Sequence, residues 1–177
     1  MSQSATLYRI SQDIFNQLDK PNNKQKFDRH SAKSYSIFQG TFMGLEYVLS
    51  KGQDNSTTEL INEIFNPKLS LGGQDFENLT PEQQFEFYES ELFIPYLGKS
   101  TISKLNDFFS NISLTDIRAK YNAKELNDNR IYPGVWHNDN SPDNAYNERD
   151  ICEGFEELKA IFNKANTEKD YIFVFVG

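Results

Sequence analysis

The chain has a single cysteine, Cys152, and only two histidines, His30 and His137. One thiol rules out an internal disulfide and any cysteine-based zinc site. Neither histidine has a second His, a Cys or a Glu at ligand spacing, so no metal and no cofactor is expected. Basic residues are also short: 18 Lys and Arg stand against 26 Asp and Glu, for a net charge of -8. Nucleic-acid binding rests on neutralising phosphates with cations, and so does attraction to an anionic membrane surface. Without a basic run, neither partner is expected. Apolar runs are short as well, far from the roughly 20 residues that span a bilayer. The opening Met1-Ser2-Gln3-Ser4-Ala5-Thr6 has no charged start followed by an apolar stretch, so it does not read as a secretory signal. The expectation is a cytoplasmic protein.

Aromatic residues are plentiful, at 14% of the 177 residues, with 15 Phe and 9 Tyr. Side chains of that size bury enough surface for a packed core, and disordered chains lack them. The length suits one domain, 1–177. Leu7-Tyr8-Arg9-Ile10 predicts a first strand, and Ser11 caps a helix carrying Ile14, Phe15 and Leu18. A polar loop follows, from Lys20 to Lys33. Phe38, Phe42, Leu45 and Leu49 fall on one helical face, closed by Lys51-Gly52. Ser56-Thr57-Thr58-Glu59 and Thr80-Pro81-Glu82-Gln83 have the pattern of capping boxes.

Leu69 to Leu71 and Leu92 to Leu97 read as strands, with Pro95 favouring an edge or a bulge in the second. Helices are expected from Ser100, from Ser113, and around Ile151, Phe155, Leu158 and Phe162. Tyr132-Pro133-Gly134-Val135 has the residues of a type II turn. The closing run Tyr171-Ile172-Phe173-Val174-Phe175-Val176 predicts a strand covered on both faces, hence a central one. The fold class expected is α+β: a small mixed β-sheet packed by several helices, with the C-terminal strand inside it.

Several segments together resemble the YfbM-like family of bacterial proteins, also called domain of unknown function 1877. They are Ser4-Ala5-Thr6-Leu7-Tyr8-Arg9-Ile10-Ser11, Gly44-Leu45-Glu46-Tyr47-Val48-Leu49-Ser50, Gly72-Gly73, Pro95-Tyr96-Leu97, and Ile131-Tyr132-Pro133-Gly134-Val135-Trp136. The Phe155 helix and the closing strand complete the order over nearly the whole chain. The resemblance implies an α+β fold and brings no established activity. Many relatives carry Trp-His-Gly-Leu-His-Tyr where this chain reads Phe42-Met43-Gly44-Leu45-Glu46-Tyr47. Both histidines are missing here, so no role imagined for them carries over.

Motifs that suggest chemistry give way to simpler readings. Gly98-Lys99-Ser100-Thr101 has the end of a phosphate-binding loop, but the glycine needed five residues earlier is Phe93. It reads as a turn and a helix start. Asp139, Ser141, Asp143 and Asp150 follow a calcium-loop spacing, yet Asn144 replaces the turn glycine and Asp150 the bidentate Glu. They read as a solvated loop. Cys152 lies beside the apolar stripe of the last helix and reads as a packing residue.

The remaining constellation is Gly72 and Gly73 with Tyr132, Pro133, Gly134, Trp136 and His137. It is either tight backbone geometry and core, or an aromatic-lined contact for a ligand or partner. The function expected is a non-catalytic protein that binds a macromolecular partner, immunity-like or regulatory in kind. The alternative is a small-molecule binder or enzyme using an aromatic-lined pocket.

Overall fold

The computed structural model describes residues 3–20, 25–72, 80–82, 84–85 and 93–177. Its frame is a five-stranded sheet in the order β2-β1-β5-β4-β3. The strands are β1 (Ser4–Ile10), β2 (Ser34–Gln39), β3 (Leu69–Leu71), β4 (Ile94–Leu97) and β5 (Tyr171–Val176). The last strand lies between the first and the fourth, as its unbroken apolar run predicts. All four pairings are antiparallel rather than mixed. Several helices separate β2 from β3 and β4 from β5, so no single crossover forces parallel neighbours.

Seven helices have bounds within the described residues: α1 (Gln12–Leu18), α2 (Phe42–Ser50), α3 (Asn55–Asn62), α4 (Lys99–Ser110), α5 (Leu114–Lys120), α6 (Ala123–Asp128) and α7 (Glu148–Glu168). Residues 81–82 and 84–85 are also helical, while Gln83 and Leu92 lie outside the described residues. One face of the sheet carries the main core, where Leu7, Phe38, Leu97, Ile172 and Val174 meet α2, α4 and α7. The other face is covered by α1 and Phe27, which pack on Ile10, Tyr96, Phe173 and Phe175. β5 is therefore buried from both sides.

Local chemistry explains most of the boundaries. Ser11 accepts from the Ile14 N–H, as its sequence predicts, and Ser113 with Asp116 completes a reciprocal capping box. At α3 the cap is Asp54, which accepts from the Thr57 N–H, so the helix begins before the Ser56 box. The acidic Asp54 also suits the positive helix start. Phe38 is not on the helix with Phe42, Leu45 and Leu49. It sits on β2, and Gly40 at φ +68° turns the chain between them. The four side chains share one core from two elements, which is why a helical spacing was legible across a break.

The turn at Pro133 differs from the type II expectation. The Tyr132–Pro133 peptide is cis, and the Gly134 N–H bonds to the Ile131 carbonyl at 2.8 Å. With cis-Pro third in the turn this is type VI geometry over residues 131–134. Gly134 still adopts the positive φ, +75°, that its type permits.

Pro95 reconciles an interior strand with a residue that cannot donate. Ser4 and Gly177 exchange both backbone hydrogen bonds, at 2.7 and 3.0 Å. Antiparallel alternation then turns the N–H and C=O of Ile172, Val174 and Val176 towards β4. β4 pairs with β5 only through Tyr96↔Phe173 and Leu97↔Ile172. The next bonded partner for Val174 in this register is Pro95, which has no N–H, and there the ladder ends. Pro95 thus occupies a local edge inside a strand with neighbours on both sides.

Two close contacts carry testable weight. A Cβ on Gly44 would lie 2.3 Å from Trp136 Cη2, inside any permitted contact, and Trp136 is 3% exposed. Replacing glycine by alanine in a helix gains about 1 kcal/mol of propensity. Displacing a buried, rigid indole costs about 1–3 kcal/mol. We expect Gly44→Ala to lower the urea midpoint, a net loss of up to about 2 kcal/mol.

At the α7–β5 turn, Asp170 is 2% exposed and lies 2.9 Å from Lys33 Nζ and 3.5 Å from Arg9 Nη1. Without Asp170 both cations keep Glu168 as a partner but lose their buried one. Asp170→Ala is expected to cost about 1–3 kcal/mol in the same unfolding measurement.

Candidate functional site

The described residues among those singled out from sequence lie in separate parts of the fold. Gly72, at φ +74°, ends β3 at one edge of the sheet, and Gly73 lies outside the described residues. Trp136 is in the main core, its indole N–H donating to the Ile131 carbonyl at 3.0 Å and its backbone bonded to Asn127. Tyr121 and Tyr146 meet its ring edge-on. Tyr132 accepts from the Gln3 N–H at 3.0 Å, so its hydroxyl anchors the start of the chain. Pro133 and Gly134 form the type VI turn. His137 is exposed, and its carbonyl accepts from Tyr121 Oη at 2.7 Å. Tyr132 through Trp136 therefore bolt the 131–137 segment to the helical layer.

The calcium-spaced loop is held by its own side chains. Asp139 accepts from Asn144 and from the Ser141 N–H, and Asp150 accepts from the Tyr146 N–H and from Arg149. Asn147, fully buried, caps α7 and donates to the carbonyls of Ser141 and Asn144. Cys152 is buried, and burial raises its thiol pKa, which disfavours the nucleophilic thiolate. Gly98 caps α4, and Lys99 bonds to Gln12 and sits 5.1 Å from the Tyr171 ring centroid.

Two surface features stand out instead. The first is the cleft where β4 leaves β5, about 840 Å³ in volume. Its described lining includes Phe27, Phe65, Phe93 and Phe175 together with Asp28, Arg29 and His30. It mixes aromatic walls with polar groups of both signs, and it opens where Pro95 ends the β4–β5 ladder.

The second is the outer edge of β2, which pairs with no further strand among the described residues. The Gly40 N–H bonds to the Gln3 carbonyl at 2.9 Å, which fixes the alternation along β1–β2. Residues 34, 36 and 38 bond inward to β1, so Tyr35, Ile37 and Gln39 turn their backbone N–H and C=O away from the sheet. Tyr35 is 62% exposed and Ile37 47%. On the helical side of this edge, a groove of about 300 Å³ runs between the strand at residues 37–41 and Asp150, Glu153 and Glu157 of α7. Arg149 offsets part of that acidity, 2.9 Å from Asp150 and 3.9 Å from Glu153. Glu157 has no ion pair among the described residues. Burial first, then Glu153, pushes its carboxyl pKa up. Sequence reasoning missed β2 because helical spacing drew Phe38 into α2. The uncharged Ser34-Tyr35-Ser36-Ile37-Phe38-Gln39, alternating and stopped by Gly40, is the signal that identifies it.

Glu46 is a third unusual group, on α2. Asn62 Nδ2 lies 3.2 Å from its Oε1, in the amide orientation that satisfies both groups. Burial raises its carboxyl from an ordinary 4.5 to about 7. A carboxyl raised on folding favours the neutral form, so its stabilisation is complete below pH 4.5 and is lost as pH rises through about 7. We expect thermal stability to decline over that window and Glu46→Gln to flatten the decline. Allowing for partial exposure, the gain at pH above the window is about 1 kcal/mol.

The fold is shared with a solved structure, YfbM from Escherichia coli, described as a protein of unknown function. The TM-score is 0.61, with 14% identity over 100% of both chains. At that identity the likeness concerns the fold alone. No curated protein matches the chain. Among the described residues, no helix is long and apolar enough to cross a membrane. The family model described as "Domain of unknown function (DUF1877)" matches residues 1–175, and the chain belongs to that family.

Proposed function

We propose that this chain is a non-catalytic cytoplasmic protein that binds a protein partner, and that β2 is its docking edge. The observation that supports the reading is an unguarded strand. Exposed edges are ordinarily blunted by charge, proline, brevity or a cover, because their free N–H and C=O groups recruit other strands. β2 is six residues long with neither charge nor proline, and its outward side chains include Tyr35 and Ile37. Lys33, the adjoining cation, is turned into Glu168 and Asp170, 2.8 and 2.9 Å away, and so does not guard the edge. An extended partner would gain backbone bonds from Tyr35, Ile37 and Gln39 and apolar contact from the side chains.

The aromatic cleft beside Pro95 favours a second reading, a binder of small molecules. Its volume lies in the range of ligand sites, and its lining has the expected mix of aromatic walls and a few polar groups.

Affinity capture from native lysate followed by native mass spectrometry separates the two, using wild type beside Ile37→Pro. Proline at position 37 deletes an outward N–H and leaves the bonds to β1 in place. We expect a stoichiometric protein on the wild type and its loss on the variant, with the thermal midpoint nearly unchanged. A protein retained equally by both refutes the edge. A retained small molecule with no protein supports the cleft instead.

A further inference from the structure

The groove beside β2 constrains what kind of strand fits, an inference that rests on β2 being the docking edge. A strand added to β2 alternates its side chains between the two faces of the sheet. On the face away from the main core they meet Tyr35 and Ile37, which stand out from the sheet beside Tyr8, 5.9 Å from Tyr35 between ring centroids. On the helical face they enter the groove bounded by Asp150, Glu153 and Glu157 of α7. We propose that the partner contributes an extended amphipathic segment, apolar on one face and carrying Lys or Arg at two alternate positions on the other.

The charges around the groove set that number. From Asp150 to Glu157 the helix rises about 10 Å, and alternate residues of a strand are about 7 Å apart, so two cations match the row and a third overruns it. Asp150 is already committed to Arg149 and the Tyr146 N–H, which leaves Glu153 and Glu157 as the groups to be met. Arg149 also reaches Glu153, at 3.9 Å, a distance at which an incoming cation competes on nearly equal terms. Glu157 holds no cation among the described residues and is the stronger subsite.

Other occupants fit less well. A second copy joined edge to edge about a two-fold brings its own Glu153 and Glu157 to the same side of the joined sheet, and like charges meet there. An anionic polymer or membrane faces the same repulsion, on a chain already at net -8. A neutral strand would gain the backbone bonds and leave the row uncompensated.

The test uses the isotope-labelled full chain and two synthetic capped peptides of about eight residues. One alternates Lys with Val, the other Glu with Val. The expected result is that the Lys–Val peptide shifts the amides of Tyr35, Ile37 and Gln39 and protects them from solvent exchange. Ser36 and Phe38, already bonded to β1, should change little. Glu153→Gln with Glu157→Gln should weaken that binding about ten-fold and flatten its salt dependence, with the fold intact by circular dichroism.

Equal binding of the two peptides, or no effect of the double substitution, overturns the basic strand and leaves the edge standing. Failure of the Lys–Val peptide to perturb those amides at millimolar concentration also overturns it. Whether the docking edge itself then fails is read separately, from lysate capture by Ile37→Pro.

Discussion

The sheet depends on the turn that brings the chain back from α7 into its own centre. Lys169 takes the left-handed conformation at φ +57°, and the Asp170 N–H returns to the Ala165 carbonyl at 2.9 Å. This ends the longest helix and reverses the chain within two residues. Asp170 then holds the two strands that must already be in place: Arg9 on β1 and Lys33 at the head of β2 both reach its buried carboxylate. Glu168 adds bonds to the same two cations, and those hydrogen bonds lower its carboxyl to about 2. It is nearly half exposed, so its share is the weaker one. Asp170, at 2% exposure, carries the constraint.

Functional geometry inherits that constraint at both ends. With Lys33 committed to Asp170 and Glu168, β2 begins at a fixed register and loses the cation that would have guarded its edge. With β5 fixed between β1 and β4, its far half runs past Pro95 and forms one wall of the aromatic cleft. Asp170 and Glu168 together therefore hold the end of β1 and the head of β2 in the register that leaves the β2 edge outermost. The helical layer does the complementary task. Trp136 against Gly44, and Tyr132 against the Gln3 N–H, tie the 131–137 segment to α2 and to the start of β1. Those aromatic residues looked like a site in the sequence because large side chains beside glycine and proline serve packing and recognition equally well.

Much of the fold was legible, and for definable reasons. β5 was readable because a strand covered on both faces shows an unbroken apolar run. The Ser11 and Ser113 caps were readable because a side-chain oxygen three residues before its donor is a local pattern. β2 was not, since its one buried side chain, Phe38, fell by chance into register with α2. The short α6 was missed because its core contact reduces to Ala123 and Leu126. The cis peptide at Pro133 and the broken ladder at Pro95 depend on neighbours far along the chain. The proposed docking edge was hidden for the same reason: whether a strand is an edge is a property of the sheet. Glu153 and Glu157 acquire meaning only once α7 is packed beside β2, where a Cβ built on Gly154 would lie 3.3 Å from Leu45 Cδ2.

Unequal protection of the sheet's margins argues that the β2 edge is functional rather than accidental. On the β3 side the margin is only three residues long, too short to template another strand of any length. At the β4–β5 split the outward groups of Val174 and Val176 lie within a cleft walled by Phe27, Phe65 and Phe93. Both margins are thus short or recessed. Among the described strands, β2 alone combines length, neutrality and exposed apolar side chains, and it stands beside an acidic row that discourages pairing with a second copy of the same chain. An edge left open to strands in general is an aggregation hazard. An edge left open but flanked by Glu153 and Glu157 is selective, since the same charges that repel a like chain complete the contact with a basic one.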